Sequence, residues 1–206
     1  IIETETYQKI IDSAEQIFAV KGYDGASIRE ITALAGVNLA AIHYHFGSKE
    51  QLLHIVLNRK LEWLNKRRLK ALTDLEKNSK FKPLKPSQIL EAFFGTLLDM
   101  FDEKDYGGEM FLRLLARSSL EPGCLISSIS HGHNNVVVEK FRDALYLALP
   151  DVPKSEIVWR FQFMVGATSY AISGNGLNKL FATAEVQESL STSKRLLKQR
   201  LISFLL

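Results

Sequence analysis

Between Ile31 and Gly47 the chain carries no Asp or Glu, although 23 acidic residues are spread over its 206 positions. A surface that meets phosphate has to be free of such charge. Cysteine is nearly missing too. Cys124 stands alone, which excludes an intrachain disulfide and a thiol cluster and fits a reducing, cytoplasmic setting. No apolar run approaches a membrane span, and the opening Ile-Ile-Glu-Thr-Glu is unlike a basic-then-apolar signal peptide. No membrane contact is therefore expected. Gly-x-Ser-x-Gly elbows, phosphate-binding glycine loops and paired-carboxylate constellations do not occur, and Gly174-Asn175-Gly176 is too short for a dinucleotide fingerprint. An enzyme is not expected, and no cofactor is called for. Net charge is only +3, too little by itself to imply a nucleic-acid partner; any basic surface has to be local.

Strand-like alternation and internal repeats are also missing, and what remains is helix. Tyr7–Lys21 places Ile10, Ile11, Ala14, Ile17 and Phe18 on one stripe, and Gly22 stops it. Two short helices follow, then a long one from Lys49 to about Glu76. The two prolines of Phe81–Pro86 bar helix through a linker. Further helices are expected over Ser87–Phe101, Gly108–Ser119, Ile126–Leu149 and Lys154–Ser173, with a last one from about Glu185 to Leu206. The predicted architecture is all-α. An N-terminal helix-turn-helix DNA-binding domain covers residues 1–50 and runs into the connecting helix 49–76, and a helical ligand-binding and dimerisation domain covers residues 51–206.

The helix-turn-helix reading rests on Ser27–Lys49. Ser27 and Glu30 have the spacing of a capping box; Ile28, Ile31 and Ala35 recur as an inward face. Gly36 stands where the chain must turn, and glycine accepts positive φ without steric cost. Asn38 can cap a second helix, Leu39–Phe46, whose Ile42 and Phe46 point inward. That leaves Asn38, Ala40, Ala41, Tyr44 and His45 outward, with Leu39 and His43 near the boundary. Gly47 ends the helix, and Ser48 with Gln51 has the spacing of another capping box.

These residues resemble the DNA-binding domain of the TetR/AcrR transcriptional regulators. The likeness lies in Phe18-Ala19-Val20-Lys21-Gly22-Tyr23, Ser27-Ile28-Arg29-Glu30-Ile31, Ala35-Gly36-Val37 and Tyr44-His45-Phe46-Gly47-Ser48-Lys49. Thr32 stands where that family usually has Ala, Ala40 where Gly is frequent, and His43 where Tyr is frequent. The resemblance implies a homodimer that sets two recognition helices into successive major grooves of a pseudopalindromic double-stranded operator. It also implies that Ser27, Tyr44, His45 and Lys49 hold phosphates while Arg29, Leu39, Ala40, Ala41 and His43 face bases. Leu39, Ala40 and Ala41 have no hydrogen-bonding side-chain group, so direct readout is expected to be sparse and to rest on thymine methyls with Arg29 and His43. The Asn38-Leu39-Ala40-Ala41 variant, with Phe111–Leu115 and Trp159–Met164, is similar to a branch that includes fatty-acid-responsive repressors.

About 150 residues are left for another task. Phe93, Phe94, Leu97, Phe101, Phe111, Leu115, Phe163, Met164 and Tyr170 form an apolar excess that suits a pocket for a small, apolar or amphipathic effector. Arg113 and Arg117 lie one turn apart and could hold a ligand carboxylate or phosphate, but Glu109–Arg113 and Arg117–Glu121 are four-residue pairs, and pairing on a solvated face is the stronger reading. Lys154–Ser173 is apolar nearly all round and must be covered on both sides. Val158, Val165 and Gly166, with Val186, Leu190, Leu197 and Leu201 of the last helix, are the expected two-fold interface. The basic run Arg59, Lys60, Lys66, Arg67, Arg68, Lys70 reads as a solvated face. The rival readings are a metal-responsive regulator using Cys124, His131 and His133, a weak ligand set, and a helical enzyme or interaction module that does not bind DNA. No metal site is assigned.

Overall fold

The computed structural model describes residues 2–79, 82–101, 108, 111–112, 115, 134–173, 199–201 and 203–204, and every regular element among them is a helix. The chain divides into two compact units, Ile1–Trp63 with Lys104–Phe111, and Leu64–Glu103 with Leu112–Leu206.

The first unit is built from α1 (Ile2–Gly25), α2 (Ile28–Ala35), α3 (Leu39–Phe46) and the first half of α4 (Lys49–Asn78). Gly22 leaves helical geometry as expected (φ 73°, ψ 176°), but a further short stretch carries α1 on to Gly25. The stripe Ile10, Ile11, Ala14 and Phe18 is buried with Ile31, Ile42 and Phe46, and Leu52, Leu53, Val56 and Leu57 complete the core. Those α4 residues explain why the unit boundary falls at Trp63–Leu64 and not near residue 50: the first turns of α4 belong to the core of the small unit. Tyr7 stacks on Phe46 with ring centroids 4.8 Å apart.

Charge ties α4 to α1 as well. Arg59 pairs with Asp12 at 2.6 Å and with Glu15, and Lys60 reaches Glu15 at 2.6 Å. Burial opposes the Arg59 charge, yet the hydrogen bonds it donates to Glu15 and Asp12 hold its pKa above the ordinary value. The expected solvated basic face holds at the exposed Lys66, Arg67 and Lys70 and is corrected at Arg59 and Lys60, which tie α4 to α1 because α1 offers carboxylates opposite them.

The second unit starts with the rest of α4 and continues in α5 (Pro86–Leu90), a π-helical turn (Glu91–Gly95), α6 (Thr96–Leu98) and a 3₁₀ turn (Asp99–Phe101). The helix expected over Ser87–Phe101 is thus present but changes winding inside. After it come α7 (Asn134–Ala148) and α8 (Lys154–Ser173). Phe93 is the hub of the core, its ring edge-on at 5.0 Å to Phe94, Phe141 and Phe161. Arg68 is buried against it, again contrary to the solvated-face reading. Its guanidinium carbon lies 3.7 Å over the Phe93 ring, Nε donates to the Phe93 carbonyl at 3.0 Å, and Nη1 donates to Asn65 Oδ1 at 3.4 Å. A π turn re-aims backbone carbonyls out of the i→i−4 ladder, and the Arg68 fork takes the one at Phe93. Burial pushes its pKa down to about 9, and no described carboxylate pairs with it. Arg113, Arg117, Cys124, His131, His133, Val186, Leu190 and Leu197 lie outside the described residues.

Candidate nucleic-acid interface

Each bend of the α2–α3 segment is closed by a short-range hydrogen bond. Glu30 N–H donates to Ser27 Oγ at 3.2 Å, and Ser27 N–H returns a bond to Glu30 Oε2 at 3.2 Å, so the capping box is complete. Lys21 donates to the other Glu30 oxygen. That bond, with those from Ser27, holds the Glu30 carboxyl below the usual carboxylate range. Gly36 adopts φ 67°, ψ 33°, and Val37 N–H then reaches Thr32 O at 3.1 Å. Such a left-handed residue costs an L side chain about 1 kcal/mol or more. Thr32 is buried yet satisfied, its hydroxyl donating to Arg29 O at 2.8 Å, which is how a hydroxyl fits where Ala is usual.

The second helix is set by Asn38, whose Oδ1 accepts from Ala41 N–H at 2.9 Å, and by Gly47, whose N–H donates to His43 O at 3.1 Å with φ 71°. Ser48 Oγ accepts from Gln51 N–H at 3.1 Å. The Gln51 amide does not complete that box; it lies where a Cβ on Gly47 would stand.

Ile42 and Phe46 are buried, so α3 turns its other side out. Tyr44 is 77% exposed and Leu39 45%. Asn38, Ala40, His43, Ser27 and Arg29 are exposed, and Ala41 and His45 are half-buried. His45 is flanked by the rings of Tyr7 and Tyr44, with centroids 6.1 and 5.0 Å away. Leu39, Ala40, Ala41, His43, Tyr44 and His45 belong to an eight-residue rod without a carboxylate, with Asn38 as its cap; Ser27 and Arg29 stand at the start of α2. A rod of that width fits the B-DNA major groove.

Two expected phosphate ligands already have work inside the fold. Lys49 Nζ donates to Tyr23 O at 2.7 Å and to Ala26 O at 3.0 Å and stands 4.3 Å from the Tyr23 ring centroid. Two of its three N–H groups therefore fasten the end of α1, leaving one for a phosphate. The Ser27 hydroxyl donates to Glu30 at 3.0 Å. Tyr23, Ala26 and Tyr7 are contributors that the sequence reading missed. Lys49 and Tyr23 are 26 positions apart, and no periodicity links them.

In the second unit a cavity of about 250 Å³ is walled by Leu90, Leu145, Leu149, Ile157, Phe161 and Met164, with Pro86 and Arg160 also lining it. Of the expected pocket residues only Met164 lines it. Phe93, Phe94 and Leu97 are packed as core, Leu115 is half-buried, and the side chain of Phe101 lies outside the described residues. Phe111 is buried in the first unit. Phe163 and Tyr170 are corrected: they are 66% and 40% exposed, because α8 turns Ile157, Thr168 and Ile172 inward instead. Val158, Trp159, Phe163, Gly166 and Tyr170 are exposed along α8, while Val165 is half-buried. Leu201, expected at the interface, is buried within the single chain. Among the described residues no three His, Cys, Asp or Glu side chains group as metal ligands, and no helix is long and apolar enough to cross a membrane.

The profile of "Bacterial regulatory proteins, tetR family" matches residues 10–56, and that of "Tetracyclin repressor-like, C-terminal domain" matches residues 91–206. A probable HTH-type transcriptional regulator, YttP of Bacillus subtilis, is 32% identical over 96 residues, 47% of this chain and 44% of that protein. The chain spans less than half the length of the curated relatives it matches first. Among solved structures, the fatty acid degradation regulator FadR from Bacillus halodurans superposes with a TM-score of 0.60 at 17% identity, covering 97% of both chains. FadR from Bacillus subtilis in complex with stearoyl-CoA gives 0.57 at 18% identity, also over 97% of both. At such identities the likeness is one of fold.

Proposed function

The chain belongs to the TetR family of bacterial transcriptional regulators, and from that premise we propose that it is an effector-released repressor acting on a pseudopalindromic operator as a homodimer. As a member it is a DNA-binding regulator and not an enzyme. The observation that carries the reading is α3 itself: an acid-free helix capped by Asn38, aimed by the Gly36 turn and exposing Leu39, Ala40, His43 and Tyr44. Lys49 and Tyr44 set the register on phosphates, whereas Ser27 spends its hydroxyl and N–H on Glu30; the apolar tips of Leu39, Ala40 and Ala41 meet thymine methyls beside Arg29 and His43. Groove shape supplies the remaining selectivity. Selection from random duplex DNA should return an inverted repeat bound by two chains. Tyr44→Ala should weaken binding to it by about ten-fold, the equivalent of one good contact. Recovery of no preferred sequence, or Tyr44→Ala binding unchanged, overturns the reading.

The exposed side of α8 supports the dimer. Trp159 and Phe163 stand one turn apart on it with ring centroids 5.9 Å apart, a large apolar pair to leave in water, and Gly166 beyond them leaves open space for a close backbone. Sedimentation at micromolar concentration should give a dimer, and Phe163→Glu a monomer, since a charge at such a site is desolvated without a partner. A wild-type monomer overturns this part. The cavity beside Met164 supports a small apolar or amphipathic effector, as does the stearoyl-CoA held by the Bacillus subtilis protein of the same fold. Release follows from a difference in effector affinity between the DNA-bound and free arrangements.

A further inference from the structure

Resting on the DNA-binding reading, we propose that His43 reads the operator as a hydrogen-bond acceptor, through Nε2, and so selects a base that carries an amino group in the major groove, adenine or cytosine, at one fixed position of each half-site. The tautomer comes from the turn that follows. His43 Nδ1 lies 3.1 Å from the Gly47 carbonyl oxygen. A carbonyl can only accept, so Nδ1 carries the proton in that bond. A neutral imidazole that donates from Nδ1 accepts at Nε2.

The carbonyl is held where it is by more than chance. Gly47 sits at φ 71°, ψ −61°, with its N–H bonded back to the His43 carbonyl. The Gln51 side chain fills the space that a side chain at Gly47 would need. The same glycine thus closes the helix and orients the ring four residues earlier. Elsewhere on the exposed side of α3 the hydrogen-bonding capacity is thin. Asn38 Oδ1 is occupied by the Ala41 N–H, which leaves Asn38 only donors, Leu39, Ala40 and Ala41 have no such group, and the half-buried His45 is flanked by two tyrosine rings. His43 and Tyr44 are left as the exposed polar groups within the helix.

Major-groove edges differ in polarity. Adenine N6 and cytosine N4 donate, whereas guanine N7 and O6 and thymine O4 accept. An Nε2 lone pair bonds the first two and repels the others. The tyrosine frequent at this position in the resembling family could rotate its hydroxyl to either role, but the bonded imidazole cannot. His43 would therefore narrow the operator where a tyrosine leaves it loose.

The test is parallel selection from a random duplex library with wild type, His43→Ala and His43→Arg, all at an exposed position that leaves the fold intact. Wild type should enrich adenine or cytosine at one position per half-site. His43→Ala should lose that preference alone, and His43→Arg should move it to guanine. On the selected site, replacing that adenine by purine, or that cytosine by pyrimidin-2-one, removes only the amino group. Wild-type affinity should fall about five-fold, the size of one hydrogen bond, while His43→Ala affinity stays unchanged. An identical selected sequence for wild type and His43→Ala, a His43-dependent preference for guanine or thymine, or equal sensitivity of both proteins to the missing amino group overturns the assignment while leaving DNA binding intact. A library from which wild type enriches nothing overturns the DNA-binding reading itself.

Discussion

Phe46→Ala should cost the DNA-binding unit about 3–5 kcal/mol, the range for emptying a buried phenylalanine site, and so melt it while the second unit stays folded. Phe46 is 3% exposed and lies face to face with Tyr7 at 4.8 Å. It also anchors the inward side of α3 one turn after Ile42, which is fully buried. The unit is small, and the total stability of such a domain is of the same order as the loss. Denaturation followed by amide NMR signals from each unit should show an early transition confined to residues before Trp63, and operator binding should vanish at physiological temperature. Phe46→Leu fills most of the volume and should cost under about 2 kcal/mol, with binding retained. A single shared transition at the wild-type midpoint for Phe46→Ala would show that α3 is held by something other than this stack.

The second large effect runs against charge conservation. Arg68→Lys should destabilise the protein by about 3 kcal/mol, whereas Arg68→Met should stay within about 1 kcal/mol of wild type. Arg68 is buried with its plane on the Phe93 ring and its fork shared between the Phe93 carbonyl and Asn65. A lysine keeps the charge but loses the planar stack, and its compact ammonium is more strongly hydrated, so it suffers more from the same burial. Methionine fills the volume and removes the charge, giving up the bond to the Phe93 carbonyl. Urea midpoints at pH 7 should fall in the order Met, then Lys, with wild type near Met. The reverse order would mean that a positive charge, and not the guanidinium shape, is what the site needs.

The all-α fold and the interface helix were legible because their determinants are local. Ser27 with Glu30, Gly36, Asn38 and Gly47 each act within four residues, and all four behave as their spacing implies. The pattern was silent where a partner comes from far along the chain. Lys49 finds Tyr23 and Ala26, Arg59 finds Asp12, and Arg68 finds Phe93; a basic run on a helix says nothing about which of its members meets a carboxylate or a ring. The pocket reading failed at Phe163 and Tyr170 for a related reason. On a helix apolar nearly all round, hydropathy does not tell the inner face from the outer, and here Thr168 and Ser169 turn in beside Ile157 and Ile172 despite their hydroxyls.

The clustering of these short-range devices in the first unit has a kinetic consequence. Every cap and turn from Ser27 to Gln51 closes over two to five residues, so little chain entropy is lost before the first bonds form. The α2–α3 segment can therefore take shape early in synthesis, before Phe111 of the same unit has been translated.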